Sequence, residues 1–194
     1  MNLMDNQPHD FIVNHKPADL KPFLYFKHRT FQSTDLLYFI SFLQEYYLQN
    51  QSLEQAFYPD HRQVYIQKKA LTDFYNLFFN AENAPDRTKK HISTPAKNSA
   101  CKRMNMFLRW MVRADSKKVD FGLWKTIPTS ELMIPLDVHV EKYARNFGML
   151  TRKQRDWQAV EEITSTLKLM NPNDPIIYDY ALFGLGILNK NLNL

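Results

Sequence analysis

Two residues stand out for the chemistry that their types and spacing allow. Lys102 heads the run Lys102-Arg103-Met104-Asn105-Met106-Phe107-Leu108-Arg109, whose apolar period predicts a helix over about 102–114. Its amine therefore stands at a helix N-terminus, where the positive end of the macrodipole disfavours cations, so helix stability does not explain Lys102 and Arg103 at that end. The same field, with neighbouring cations, favours the neutral amine, and a neutral amine is a nucleophile able to form a Schiff base. The plainer reading is an exposed lysine on a phosphate-binding helix. Asp137 follows 35 residues later and precedes the pattern Val140, Tyr143, Ala144, Phe147, which ends at Gly148. An aspartate there caps a helix. Beside an amine, the same carboxylate can take a proton or offset positive charge developing on a substrate. The two roles are compatible.

On the 102–114 helix, Lys102, Asn105, Arg109 and Arg113 recur at steps of three and four and are expected to share one stripe. Phe107, Trp110, Met111 and Ala114 would form the buried face opposite. Charge supports an anionic partner for that stripe. The chain carries 25 Lys and Arg against 20 Asp and Glu, a net +5. The segment Lys89–Lys125 holds ten of the basic residues and only two acids, Asp115 and Asp120, so it is +8 and the remainder is −3. A charge run is often only a solvated face; the alternative is a surface for a polyanion.

Several function classes are excluded. Four glycines (Gly122, Gly148, Gly184, Gly186) cannot assemble a P-loop or a dinucleotide-binding fingerprint, and no Asn-Gly, Asp-Gly or Gly-Gly pair closes tight hairpins. The one cysteine, Cys101, cannot build an iron–sulfur cluster or a Cys-rich zinc site, and it reads as a small buried residue beside Lys102. His139-Val140-Glu141 fits half of the zinc-deaminase signature, but its P-C-x-x-C partner is missing, so neither a metal nor another cofactor is expected. No apolar stretch approaches 18 residues and the first residues lack the pattern of a signal peptide, so the expectation is a cytoplasmic protein without a membrane span.

The elements that must position these residues are helical. Ser33-Thr34-Asp35 opens one pattern, through Leu36, Phe39, Ile40, Leu43, Tyr46 and Tyr47; a second is expected from about His61 to Phe79, with Val64, Leu71, Phe74, Leu77 and Phe78 buried. Residues 80–101 are polar and punctuated by Pro85 and Pro95. Thr151-x-x-Gln154 and Asp156 compete to start a helix carrying Val160, Ile163 and Leu167, and Asn173-Asp174-Pro175 opens a last one through Tyr178, Leu182 and Phe183. The expected architecture is one all-α domain over 1–194.

The Lys102–Arg109 run, followed by Pro135-Leu136-Asp137-Val138-His139-Val140, resembles the helix-hairpin-helix DNA glycosylase superfamily, in particular the 8-oxoguanine DNA glycosylases with associated lyase activity. In that branch a lysine at the start of the hairpin's second helix precedes an F-L-R-like core, and a later aspartate opens a helix reading D-x-H/R-V/I. FLRWMVR (107–113), VDFGLWKTIP (119–128), PLDVHVEKYAR (135–145) and NPNDPIIYDYALFGLG (171–186) are further similar to a bacterial family found mostly in Bacteroidetes. That similarity implies additional helical sequence before Met1, and hence a shortened form here.

The resemblance implies a helix-hairpin-helix fold, a hairpin-like DNA-binding region over about 89–118, and base-excision repair of oxidised purines in duplex DNA, next to the nucleoid. Lys102 would be the nucleophile and Asp137 its assistant. Where the superfamily's hairpin turn reads G-x-G, this chain has Ser93-Thr94-Pro95-Ala96-Lys97-Asn98-Ser99, so Lys97, Asn98 and Ser99 are the expected phosphate donors, with Arg103, Arg109 and Arg113 beyond them. Trp124, Asp179 and Phe183 are candidates for a base pocket, although large aromatics at helical spacing are more often core. Two other readings remain: a non-catalytic DNA-binding relative, and an all-α protein-interaction domain whose +8 segment serves solubility.

Overall fold

In the computed structural model, which describes residues 2–188, the chain is all-α. Met1 and residues 189–194, which the expected 1–194 domain includes, lie outside the described residues. The helices are α1 (Pro8–Asn14), α2 (Ser33–Gln49), α3 (Glu54–Phe57), α4 (Gln67–Phe78), α5 (Lys102–Val112), α6 (Val138–Asn146), α7 (Trp157–Met170) and α8 (Asp179–Leu188), with 3₁₀ segments in several of the connections. Two short strands, β1 (Lys27–His28) and β2 (Phe31–Gln32), pair antiparallel ahead of α2. No described helix is long and apolar enough to cross a membrane.

One core runs from Ala56 to Leu182, built on Leu71, Leu108, Leu132, Ile134, Leu136, Trp157, Ile163 and Ile176. Side chains of α2 cover one edge of it through Phe39 and Phe42, whose rings meet Phe78 at 4.7 and 4.4 Å. Local chemistry sets the ends of the elements as the residue types require. Asp137 caps α6 by accepting from the His139 and Val140 N–H groups, and Gly148, at φ +70°, ends it in the left-handed conformation that glycine adopts freely. Asp156, not Thr151, caps α7, accepting from the Ala159 N–H.

Two expectations about burial are corrected. The second pattern becomes helical only at Gln67, and Val64 and Leu77 are exposed. Side chains hold residues 58–63 in turns instead: the Tyr58 hydroxyl donates to the Gln63 carbonyl at 2.7 Å, and Asp60 accepts from the Arg62 N–H at 3.1 Å. On α5 the buried face is Met104, Asn105, Leu108, Arg109 and Val112, while Trp110 faces solvent; the helix ends at Val112, so Ala114 is exposed beyond it. The helix is therefore rotated from the orientation its apolar residues predict.

Candidate functional site

Lys102 and Asp137 meet. The Lys102 Nζ donates to the Asp137 Oδ2 at 3.1 Å, on the wall of an open cleft of about 800 Å³. The elements around them explain how two residues so far apart in sequence converge. Asn105, one turn after Lys102, is fully buried; it accepts from the Gln67 Nε2 at 2.9 Å and donates to the Ile134 carbonyl at 3.3 Å. Gln67 in turn accepts from the Met133 N–H, and the Ile134 N–H donates to Thr164 on α7. The extended segment that delivers Asp137 is thus hydrogen-bonded to α4, α5 and α7 at once, so α5 carries both the amine and the side chain that fixes its partner's approach. From the other side α8 leans on the first turn of α6. A Cβ at Gly186 would lie 2.3 Å from the His139 Cβ, so only glycine allows that approach.

Just before Lys102 the backbone turns sharply. Cys101 is buried and adopts φ +50°, a left-handed conformation that is strained for a residue with a side chain. The Ser99 hydroxyl holds it by accepting from its N–H at 3.2 Å, and its thiol donates to the Ser99 carbonyl at 3.3 Å. Burial pushes the thiol's pKa up, which keeps it protonated, while the Lys102 amine next to it is exposed.

Asp137 is mostly buried, and burial pushes its carboxyl up; hydrogen bonds from the Val140 N–H, from Lys102 and from the His139 N–H outweigh this and hold it below the usual carboxylate range. A carboxylate so stabilised is a weak proton acceptor and a persistent negative charge. The arrangement therefore favours offsetting cationic charge on a substrate over simple base catalysis.

The cleft is lined by Lys90, Lys102, Arg103 and Arg155, with Asp137 the acidic side chain among its walls, and by Ser93, Ser99 and Cys101 beside them. Of the remaining expected contacts, Phe183 also lines it, its ring edge-on to His139 at 5.7 Å. Trp124 does not: it is buried in the core between Phe57 and Phe107, with ring centroids at 5.5 and 5.4 Å. Asp179 is not at the cleft surface either, because it is buried in an ion pair with Arg109.

Of the three phosphate donors expected at the hairpin-like turn, Ser99 lines the cleft. Thr94 caps the 3₁₀ turn Pro95–Lys97, and Asn98 takes φ +54°, the position that glycine fills more freely. The Asn98 amide donates to Asp156 at 3.1 Å, and the Lys97 amine donates to the Tyr75 hydroxyl at 2.7 Å, while both residues remain exposed outside the cleft lining. The segment before the turn, Asp86–Lys90, is 3₁₀ rather than α-helical.

The expected phosphate-facing stripe is corrected at Arg109 and Arg113. Both are buried. Arg109 pairs with Asp179 and, at 3.1 Å, with Asp120; Arg113 bonds Asp120 at 2.5 Å and Asp174 at 2.7 Å. The Tyr180 hydroxyl accepts from Arg109 at 2.9 Å. A guanidinium with two carboxylates in the core has no donor left aimed at solvent. Sequence reasoning missed Ser93, Lys90 and Arg155 as cleft residues; the excess charge of residues 89–125 pointed to Lys90, but nothing in the sequence placed Arg155 beside it.

An all-α protein with a paired lysine and aspartate on one basic cleft is what the fold and site define. The chain belongs to the family described as protein of unknown function (DUF2400), whose model matches residues 1–188. Neither the curated proteins nor the solved structures provide a match.

Proposed function

We propose that the chain is a helix-hairpin-helix DNA base-excision enzyme, an N-glycosylase with associated lyase activity on oxidised purines, in which Lys102 is the nucleophile. The observation that carries this reading is the 3.1 Å contact of Lys102 with Asp137 on an open, basic cleft. With its extra proton given up to solvent, the Lys102 amine attacks C1′ of a flipped nucleotide and forms the N–C1′ bond, while the glycosidic bond breaks and its electron pair leaves with the base, which takes up a proton from water. Loss of the amine proton and ring opening give an imine. Removal of a 2′ proton then expels the 3′ phosphate and nicks the strand. Asp137, held ionised, would offset positive charge on the sugar as the base departs. The buried thiol of Cys101 offers no competing nucleophile.

Borohydride reduction during reaction with a duplex bearing an 8-oxoguanine or abasic site tests this. Expected is a covalent protein–DNA adduct that disappears in Lys102→Gln. Trapping that persists in Lys102→Gln, or no trapping on oxidised, alkylated and abasic duplexes alike, overturns the reading; the latter result favours a DNA-binding relative without the reaction.

A further inference from the structure

We infer that Lys90, Arg103 and Arg155 grip the phosphodiester backbone of duplex DNA on both flanks of the Lys102–Asp137 pair. The inference rests on the proposed function only for the identity of the polyanion. All three residues are exposed and line the same cleft as Lys102. On one side, the Arg103 guanidinium donates to the Lys90 carbonyl at 3.1 Å, which ties the two residues together. Neither side chain has a carboxylate within ion-pair distance among the described residues, and Arg103 spends one of its five donors on that carbonyl. Two neighbouring cations without a counter-ion repel each other and are arranged for an anion from outside.

The third cation comes from the α6–α7 side. Arg155 donates to Glu141 at 2.5 Å, and Glu141 is also held by Arg145 at 2.8 Å. When Arg155 turns to a phosphate, Glu141 keeps a cationic partner, so releasing it leaves no bare charge behind. That separates Arg155 from Arg109 and Arg113, whose removal from their carboxylates would strand buried anions. The cations thus reach one cleft from two sides, Lys90 and Arg103 beside Lys102 at the start of α5 and Arg155 from the segment between α6 and α7, so a strand lying in the cleft meets them together with Lys102.

The test is the salt dependence of binding to a duplex containing a tetrahydrofuran abasic analogue, which has no aldehyde and cannot react with an amine. Each phosphate contact contributes roughly 0.9 to the slope of log affinity against log salt. Lys90→Gln, Arg103→Gln and Arg155→Gln are each expected to lower the slope magnitude by about 0.9, and the triple variant by about 2.7. Lys21→Gln with Lys27→Gln, exposed, outside the cleft lining and outside the basic segment 89–125, is expected to leave the slope unchanged. An unchanged slope in the triple variant, an equal fall in the Lys21/Lys27 control, or no salt-dependent binding by the parent overturns the inference. A reduced slope in the triple variant alongside failed borohydride trapping supports the grip and rejects the lyase reading; trapping with an unchanged slope does the reverse.

Discussion

At its first turn α5 presents Lys102 and Arg103 to an open cleft, whereas two turns later the same helix directs Arg109, and the residue after its end, Arg113, into the protein, against Asp120, Asp174 and Asp179. Identical residue types serve opposite ends. At the cleft the cations outnumber the acids, which leaves charge for an incoming anion. In the buried cluster three aspartates surround two arginines, and no positive charge is left over for an anionic ligand. Such a cluster loses solvation as well as gaining attraction, so its value lies in fixing where its members go. Arg109 bonds Asp179 and Tyr180 at the start of α8, and α8 in turn presses on the first turn of α6, which Asp137 caps. The buried end of α5 thereby positions the wall opposite its exposed end.

The largest effect that would sharpen this contrast is on stability. Arg109→Gln removes a buried cation from two carboxylates and is expected to cost about 3–5 kcal/mol in urea unfolding. Arg103→Gln, at the exposed end, should stay within about 0.5 kcal/mol of the parent. Equal losses in the two variants would break the comparison.

Next in size is the effect of Asp137→Asn on rate. Asparagine caps a helix about as well as aspartate, so the variant should unfold at nearly the parent midpoint, while Asp137→Ala loses on the order of 1 kcal/mol. Asparagine cannot supply the negative charge that faces Lys102. Single-turnover excision is therefore expected to fall roughly a hundredfold, about 2.7 kcal/mol of barrier. Excision at the parent rate would reduce Asp137 to a cap and leave Lys102 alone to distinguish the exposed end of α5.

The legibility of these two ends differs for a physical reason. The caps Asp137 and Gly148 and the break after them were readable because they depend on side chains within a few residues of the backbone they terminate. The Lys102–Asp137 pair was readable only through the resemblance, since spacing alone does not say that segment 132–136 runs back beside α5. The orientation of α5 was not readable. Its apolar residues pointed to Phe107 and Trp110 as the inner face, but three aspartates between 7 and 70 residues downstream supply counter-charges that make burial of Arg109 and Arg113 possible. Long-range pairing of this kind leaves no periodic trace. The start of α4 failed for the opposite reason, because Tyr58 and Asp60 hold residues 58–63 through local hydrogen bonds that compete with the helix.

The smallest effect concerns the pH response of the buried end. Burial pushes the Asp179 carboxyl up to about 6; Arg109 opposes this, but Arg109 is shared with Asp120, and the charges of Asp137 and Asp120 add to the rise. The unfolded carboxyl titrates near 3.8. Between about pH 4 and 6 the folded protein therefore holds a proton that the unfolded chain has released, and stability from this group falls as pH rises through that window. Above it the loss is complete. Asp179→Asn has no such proton and still offers Arg109 an acceptor, so its stability should change less between pH 4.5 and 7.5, the difference from the parent being on the order of 2 kcal/mol. His91, whose pKa burial lowers despite Asp35 beside it, shifts stability in the opposite direction in both proteins and cancels in the difference. Denaturant unfolding of the two proteins across that range measures the difference directly. At the exposed end, Arg103→Gln should track the parent at every pH, because it removes no group that titrates there. If Asp179→Asn also tracks the parent, the carboxyl is ionised throughout, Arg109 alone governs it, and the buried cluster carries a net negative charge at all these pH values.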